Sequence, residues 1–179
     1  MIPMPELQTE RLRLIALSLP QLRRLVNAPQ QLEAELGCAV SGGMIRPAMS
    51  SAIGIKIARM KQADEADHAW YTWWLVILKA ENRGVGLVGF KGGLNRYGEA
   101  EISYGIEPAA EGRGYATEAA RALIGWAFRD PRCTAVTAQV SDKSNIASLR
   151  VLEKCRMRLV REDEEGSYWK VSRKEFRQQ

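Results

Sequence analysis

The chain has 179 residues, of which 46% are hydrophobic and 26% are charged, and its formal net charge at pH 7 is +5. This length and composition predict a single folded domain over residues 1–179 and exclude the class of disordered proteins. The small positive charge suits a small polyanionic ligand at least as well as nucleic acid.

The cysteines and the N-terminus indicate the compartment. Cys38, Cys133 and Cys155 are odd in number, widely spaced and without a C-x-x-C pair, which argues against a disulfide framework and a zinc site. The opening M-I-P-M-P-E-L has neither the basic start nor the apolar run of a signal peptide, and no segment reaches the roughly 18 apolar residues that span a bilayer. We therefore expect a cytoplasmic protein without a membrane segment or a metal site.

The first part of the chain predicts a strand and a helix. Charged and apolar residues alternate over residues 10–14, as in a half-buried strand. Ser18, with Pro20 in the first turn, predicts the start of a helix whose apolar residues recur at helical spacing. Charge is sparse over residues 37–58, and the composition there fits neither a clean strand nor a strongly amphipathic helix.

The middle of the chain predicts three strands in a meander. The first is W-Y-T-W-W-L-V-I-L, which begins at Trp70, and a turn at residues 81–84 joins it to V-G-L-V-G-F-K-G. A second turn leads to A-E-I-S-Y-G-I. Pro108 ends this third strand because proline has no N–H group for a sheet ladder.

The last part of the chain alternates helices and strands. Apolar residues at i, i+4, i+7 and i+11 from Ala116 to Ala127 mark one face of a helix, and Ser144 and Asn145 predict the cap of a second helix. The strand C-T-A-V-T-A-Q-V lies between them, and M-R-L-V-R-E and S-Y-W-K-V-S predict two final strands. The predicted fold class is therefore α/β (α+β), a mixed sheet flanked by helices.

Four kinds of site found in other enzyme classes are excluded. Residues 84–89 spell G-x-G-x-x-G, but the string continues into strand and turn instead of opening a helix, so it does not indicate a dinucleotide site. There is no G-x-x-x-x-G-K-[ST] string of a P-loop. His68 is the only histidine and no G-x-S-x-G string accompanies it, which excludes a multi-histidine metal site and a serine nucleophile elbow.

The stretch E-G-R-G-Y-A-T-E-A, residues 111–119, places two glycines ahead of a predicted helix. A helix N-terminus carries partial positive charge, and glycines let backbone N–H groups approach an anion closely. The N–H groups of residues 112–117 would point into one concavity, where Gly114 and Ala116 admit phosphate oxygens and Arg113 adds charge. The alternatives are a phosphate cradle and a plain surface turn, and the strand before the loop favours the cradle.

Two longer stretches resemble a known family. I-S-Y-G-I-E-P-A-A-E-G-R-G-Y-A-T-E-A is similar to the acetyl-coenzyme A signature of the GNAT superfamily of N-acetyltransferases, written Q/R-x-x-G-x-G/A after a strand. S-N-I-A-S-L-R-V-L-E-K resembles the N-x-x-S-x-x-x-L-E-K segment of the branch with the ribosomal-protein N-terminal (RimJ/RimL-type) acetyltransferases, and T-E-R-L-R-L resembles that branch's opening strand. Residues 37–69 remain unmatched. The resemblance implies a mostly antiparallel sheet of about six to seven strands with helices on both faces.

This sequence departs from the family pattern at two places. Glu111 stands where the signature prefers glutamine or arginine, so a carboxylate lies near the expected pyrophosphate. Backbone binding survives this change if the N–H groups do the holding. Arg156 and Met157 stand where the family has glycine and an aromatic residue, so we expect the loop into the next strand to differ.

The resemblance implies that acetyl-coenzyme A is the co-substrate. Its pyrophosphate would lie at the helix start, its pantetheine arm along the strand that ends at Ile106, and Asn145 would contact that arm. The expected cofactor-binding residues are Tyr104, Ile106, Glu111, Gly112, Arg113, Gly114, Tyr115, Ala116, Thr117 and Asn145.

Acetyl transfer to an amine requires a base, an oxyanion donor and a group that protonates the leaving thiolate. Glu101 is the first candidate base because it lies on the opposite strand face from Ile102 and Tyr104 and would reach the cleft if those two face the core. Glu99 and water are alternatives, and a solvated carboxylate without a catalytic role is equally open.

The remaining two roles are taken from the resemblance. Many GNAT enzymes use a tyrosine near the end of the second helix as the acid, but Leu152 stands there. Ser148 would instead steady the thioester sulfur or donate a proton through water, unless it is a plain helix serine. The oxyanion donor would be a backbone N–H in residues 104–106.

The acceptor is expected to be a protein or peptide N-terminal α-amine. About a tenth of α-amino groups are neutral at pH 7, against well under a thousandth of lysine side chains, so an α-amine tolerates a weak base. A small amine such as a polyamine or aminoglycoside, and a non-catalytic acyl-coenzyme A-binding protein, remain alternatives. Nucleic acid binding is not expected, because the tail at residues 170–177 is too short and mixed for a basic stripe, and a homodimer is allowed.

Two residue groups bear on the acceptor region. The carboxylates Asp64, Glu65 and Asp67 would line a polycation site or lie in a solvated loop. The tryptophans at 70, 73 and 74 would wall the acceptor cleft or belong to the core.

Overall fold

The computed structural model describes residues 3–45 and 47–177, with the backbone alone at positions 47 and 48. Met1 and Ile2 lie outside the described residues; they begin the stretch M-I-P-M-P-E-L, from which no signal peptide was expected. Nine strands in this part of the chain form one sheet in which the β3–β5 and β6–β7 pairs are parallel and the others antiparallel. They are β1 (Glu6–Gln8), β2 (Leu12–Ala16), β3 (Ala39–Val40), β4 (Trp73–Leu78), β5 (Arg83–Phe90), β6 (Glu99–Ile106), β7 (Ala135–Val140), β8 (Arg158–Asp163) and β9 (Gly166–Ser172).

The sheet order is β1-β2-β4-β5-β6-β7-β9-β8, and β3 pairs with the start of β5. The predicted fold class, a mostly antiparallel mixed sheet with helices on both faces, is confirmed. The strand count is higher than predicted because β1 and β3 have only three and two residues. Segments this short carry no readable alternation.

Helices cover both faces of the sheet. Within the described residues they are α1 (Leu19–Asn27), α2 (Pro29–Leu36), α3 (Pro47–Met60), α4 (His68–Tyr71), α5 (Tyr115–Ala127), α6 (Ile146–Lys154) and α7 (Arg173–Arg177). Short 3-10 turns lie at Gly42–Met44, Glu65–Asp67 and Pro108–Ala110. The predicted start of α1 is confirmed: Ser18 and Gln21 form a capping box, in which the backbone N–H of Ser18 donates to the Gln21 side chain at 2.8 Å.

Two hydrophobic cores lie on opposite faces of the sheet. α5 packs its buried Ala120, Leu123 and Ala127 on one face, as the predicted periodicity requires. α1, α2 and α3 cover the other face, where Leu75 and Leu87 are buried. β4 is buried along its whole length because it is covered on both faces, which explains its unbroken apolar run.

Several segment predictions are corrected. Of the first predicted strand, residues 10–14, only residues 12–14 lie in a strand, which is β2, and residues 10 and 11 lie in the bend between β1 and β2. Trp70 lies in α4 and not in the strand, which begins at Trp73. All three tryptophans of this segment are at most 4% exposed and belong to the cores, so they do not wall a cleft.

The segment that the sequence left unread contains helix α3. Its inward face carries Ile53 and Met60, both fully buried, with Lys56 between them. A lysine in the middle of a narrow apolar stripe masks the helical pattern, so periodicity alone did not reveal this helix.

β6 and β7 separate along their length. They pair in parallel only from Glu99 with Ala135 to Glu101 with Thr137, although β6 continues to Ile106 and β7 to Val140. The two strands therefore diverge beyond Glu101, and a cleft opens between them at the end of β6 that leads into the glycine loop. The G-x-G-x-x-G string lies within β5, as the sequence predicted.

Candidate active site

The glycine loop leads directly from β6 into α5. After the 3-10 turn at Pro108–Ala110, Gly112 and Gly114 adopt left-handed conformations with φ of 74° and 81°, and Gly114 is the N-cap of α5. Only glycine adopts these angles without strain. The first N–H groups of α5, at Tyr115, Ala116 and Thr117, have no acceptor within the helix and lie at its positive end. The loop therefore has the backbone of an anion site.

Arg11, just before β2, fixes this loop in place. Its Nη1 donates to the carbonyl oxygen of Arg113 at 2.9 Å, its Nε donates to Glu118 at 2.7 Å, and its guanidinium lies 4.7 Å from the ring centre of Tyr115. Thr9 donates to the same Glu118 carboxylate at 2.6 Å. The T-E-R-L-R-L and E-G-R-G-Y-A-T-E-A stretches are thus joined physically, 102 to 109 residues apart in the chain.

Replacing Glu118 with glutamine should lower the free energy of unfolding by about 1 to 3 kcal/mol at pH 7, because charge-assisted hydrogen bonds from Thr9 and Arg11 are lost. Burial raises the pKa of Glu118, but the hydrogen bonds from Thr9 and Arg11 outweigh it and hold the pKa below its ordinary value.

Because the folded-state pKa of Glu118 is depressed, its contribution is present above the unfolded pKa of about 4.3 and is lost as pH falls below that value. Urea unfolding of both proteins at pH 7 and at about pH 3 measures the difference. An equally large difference in acid would contradict this assignment.

A cavity of about 220 Å³ lies in the cleft between the diverging β6 and β7, beside α6. Tyr104, Asn145 and Ser148 line it together. The Tyr104 hydroxyl donates to the backbone carbonyl of Ser148 at 3.2 Å, and Asn145 caps α6 by accepting the backbone N–H of Ser148 at 3.1 Å. Burial raises the pKa of Tyr104, so its phenol is neutral. Leu152, at the family's tyrosine position, is buried in the core.

The backbone of β6 directs N–H groups into the same cleft. Lys91 donates its backbone N–H to Glu101, and Glu107 donates its own to Val85, so the odd-numbered residues of β6 bond to β5. Alternation along an antiparallel pair then turns the N–H groups of Tyr104 and Ile106 away from β5, toward the separation from β7. The side chain of Ile106 is buried, so its backbone alone faces the cleft.

Glu101 lies on the face of β6 opposite to Ile102, as expected, but in the wall of a second cavity. That cavity measures about 480 Å³ and shares Ala138 and Gln139 with the smaller one. Glu101 is one-third exposed and forms an ion pair with Lys91.

Glu99, the competing candidate base, lines the same 480 Å³ cavity and is bound by Lys170. This hydrogen bond from Lys170 is the largest cause that lowers the pKa of Glu99 below its ordinary value. The surroundings of Glu99 thus favour its ionised form and make it a poor proton acceptor.

Helix α3 supplies two residues near the site that the sequence did not reveal. Lys56 donates to the backbone carbonyl of Phe90, and Arg59 donates to that of Lys91, so α3 holds the end of β5 beside Glu101. Burial, and secondly the charge of Arg59, lower the pKa of Lys56 to about 7. Its ammonium lies 4.5 Å from the ring centre of Trp73.

The departures from the family pattern are accommodated in different ways. Glu111 is exposed on the rim of the loop. Arg156 has φ of 58°, so it adopts at the end of α6 the left-handed conformation that the family's glycine would supply, and the following Met157 is buried in the core.

A third cavity, of about 560 Å³, lies beside the first turns of α5 and was not foreseen from the sequence. Three basic side chains line it, one from the residue just before β2, one from α5 and one from the end of α6. They are Arg11, Arg121 and Lys154.

Across residues 3–45 and 47–177, no three histidine, cysteine or acidic side chains are grouped so as to hold a metal ion. The three cysteines are free thiols in buried positions. In the same part of the chain, no helix has the length and apolar character that crossing a bilayer requires.

Comparison with known proteins agrees with the geometry of the glycine loop and the cleft. Residues 17–158 match the family model described as acetyltransferase (GNAT) domain. The chain is 28% identical over 163 residues to the uncharacterized N-acetyltransferase YjdG of Bacillus subtilis (strain 168), a match that covers 91% of this chain and 95% of that protein.

Two solved structures with bound coenzyme A share the fold. RimL, the ribosomal L7/L12 alpha-N-protein acetyltransferase, has 14% identity and a TM-score of 0.64 over 94% of this chain and 98% of its own. The aminoglycoside acetyltransferase AAC(6')-Ib has 17% identity and a TM-score of 0.61 over 93% and 98%. At such identities the likeness concerns the fold alone. The family match over most of the chain shows that this protein belongs to the GNAT family of acetyltransferases, which use acetyl-coenzyme A as their acetyl donor.

Proposed function

We propose that this protein transfers the acetyl group to the N-terminal α-amine of a peptide or protein by direct attack of the amine on the thioester. The observation that carries the proposal is the cleft between β6 and β7. The N–H groups of Tyr104 and Ile106 are directed toward it, the side chains of Asn145 and Ser148 line it, and a carboxylate lies in the adjoining cavity.

The glycine loop and the basic side chains of the 560 Å³ cavity beside it fit the charges of coenzyme A. The N–H groups of residues 112–117 would hold the pyrophosphate, with Arg113 as an added charged contact. Arg121 and Lys154 would bind a further phosphate beside α5. Glu111 lies on the rim, where its side chain leaves the backbone donors accessible.

Bound acetyl-coenzyme A supplies the electrophilic thioester carbonyl. The N–H groups of Tyr104 and Ile106 would stabilise the negative charge that develops on the carbonyl oxygen. Glu101 would accept the proton that the attacking amine loses, directly or through one water. Ser148 would donate a proton toward the departing sulfur, while the neutral Tyr104 phenol holds the first turn of α6 in place.

A polycationic acceptor has less support. Of the carboxylates at 64, 65 and 67, Asp67 is bound by Arg132 at 2.9 Å, and none lines the three cavities described above. The expected carboxylate-lined site for a polyamine or aminoglycoside is thus not formed by this cluster.

The test is a two-stage measurement on the purified protein. Calorimetric titration should show micromolar binding of acetyl-coenzyme A and of desulfo-coenzyme A, and no binding of NADH. Mass spectrometry of a peptide panel incubated with acetyl-coenzyme A should then locate the acetyl group on the α-amine. Acetylation of lysine side chains, polyamines or aminoglycosides alone would show that the acceptor is wrongly assigned.

A further inference from the structure

We propose that the acceptor peptide carries an acidic side chain at its fourth or fifth residue, which binds the basic side of the 480 Å³ cavity. This inference rests on the proposed function, because it specifies which N-terminal sequences the site accepts.

One row of side chains crosses four neighbouring strands on the Glu101 face. Glu101 pairs with Thr137, Thr137 with Lys170, and Lys170 with Arg158. Residues directly opposite each other in neighbouring strands point to the same face of a sheet. The row therefore runs from the candidate base on β6 to a guanidinium on the edge strand β8, along the wall of the cavity.

Both carboxylates of this cavity already have cationic partners within the described part of the chain. Lys91 pairs with Glu101, and Lys170 pairs with Glu99. A polycationic acceptor would have to displace these lysines before it gained a carboxylate. The side of the cavity that carries Glu101 and Glu99 therefore offers a base to the attacking amine. It attracts additional positive charges on the acceptor only weakly, because both carboxylates are already paired with lysines.

The far side of the cavity is basic and accessible. Arg158 and Arg161 have side chains that are 60% exposed, and each uses its Nε in one ion pair, with Glu175 at 3.0 Å and Asp163 at 3.1 Å. A guanidinium has five N–H donors in a planar fork, so each arginine has donors for a second carboxylate. The ring of Tyr168 lies 3.9 Å from the Arg161 guanidinium and holds it over the sheet.

The spacing of the sheet sets where the acidic residue must lie. Neighbouring strands are about 4.8 Å apart, which places Lys170 about 10 Å and Arg158 about 14 Å from the backbone at Glu101. An extended peptide rises about 3.3 Å per residue. With the α-amine at Glu101, the fourth residue then lies at the level of Lys170 and the fifth at the level of Arg158. Side chains alternate along an extended chain, so one of these two residues faces the cavity, and the peptides below change both positions together.

The experiment compares three octapeptides that differ only at the fourth and fifth residues, where they carry Glu-Glu, Gln-Gln or Lys-Lys. For the wild-type protein, kcat/KM for α-amine acetylation should be about tenfold higher with Glu-Glu than with Gln-Gln, and lowest with Lys-Lys. The ratio should fall toward one at about 0.5 M KCl, because exposed charge pairs are screened by salt.

Arg158→Glu should reverse the order of the Glu-Glu and Lys-Lys peptides. Arg129→Glu makes the same charge change at an exposed position that lines none of the three cavities, and it should leave the order unchanged. Calorimetry with acetyl-coenzyme A on both variants checks that the donor site is intact.

Two results would overturn the inference in distinguishable ways. If all three peptides are acetylated equally, or the Lys-Lys peptide best, the acidic preference is wrong while the proposed function stands. If no peptide is acetylated on its α-amine and another amine is, the proposed function fails and this inference fails with it.

Discussion

Replacing Gly114 with valine should lower the affinity for acetyl-coenzyme A by at least about tenfold, equivalent to about 1.4 kcal/mol of binding free energy. Gly114 has φ of 81° as the N-cap of α5, a conformation that a β-branched residue does not adopt without strain. A Cβ there would lie 3.4 Å from Nη2 of Arg11, the side chain that holds the loop. The backbone donors would therefore move out of register with the phosphates, and calorimetric titration measures the loss.

Gly37→Val is the matched control for this substitution. Gly37 also has a left-handed conformation, with φ of 64°, but it is the C-cap of α2 and lies in none of the cavities near α5 and α6. Both variants should lose stability through backbone strain of about 1 to 3 kcal/mol, and only Gly114→Val should lose coenzyme affinity. Equal affinities in the two variants would mean that the anion site lies elsewhere.

Glu101→Gln should lower kcat/KM for the amine by about a hundredfold or more, the usual contribution of a general base. The affinity for acetyl-coenzyme A should not change, because Glu101 lies in the cavity that adjoins the cleft and not in the glycine loop. Steady-state kinetics across pH, with calorimetry for the donor, separate these effects.

Glu99→Gln is the control, since Glu99 lines the same cavity and is also paired with a lysine. The hydrogen bond from Lys170 depresses its pKa, so Glu99 is a poor proton acceptor and its loss should change kcat/KM only a few-fold. If instead Glu99→Gln gives the larger loss, the two roles are exchanged. A full rate in both variants across pH would leave water as the base.

The glycine loop was predicted from sequence because its determinants are local. Positive φ at Gly112 and Gly114, and the small residues that follow, belong to one continuous stretch. The cap of α1 at Ser18 and the buried face of α5 were predicted for the same reason, since caps and periodicity depend on neighbours within one or two turns.

Contacts between distant segments could not be predicted in this way. The binding of Arg11 and Thr9 to Glu118 joins two stretches that each looked like a separate motif. The support of β5 by Lys56 and Arg59 comes from α3, the helix whose pattern the sequence did not reveal. A lysine or an arginine in a sequence does not indicate that its side chain will bind a backbone carbonyl of a distant strand, because buried and exposed basic residues cannot be told apart from the sequence alone.

The sequence by itself determined the strand and helix types along most of the chain and the glycine loop, and it indicated two carboxylates as candidates for the base. Only the tertiary structure decided which backbone donors face the cleft, because β6 and β7 stop pairing after Glu101 and free the N–H groups beyond it. It also decided which lysine pairs with each carboxylate: Lys91, which directly follows β5, pairs with Glu101, and Lys170 of β9 pairs with Glu99. Hydrogen-bond direction and charge pairing depend on register between strands, and register is a property of the folded sheet.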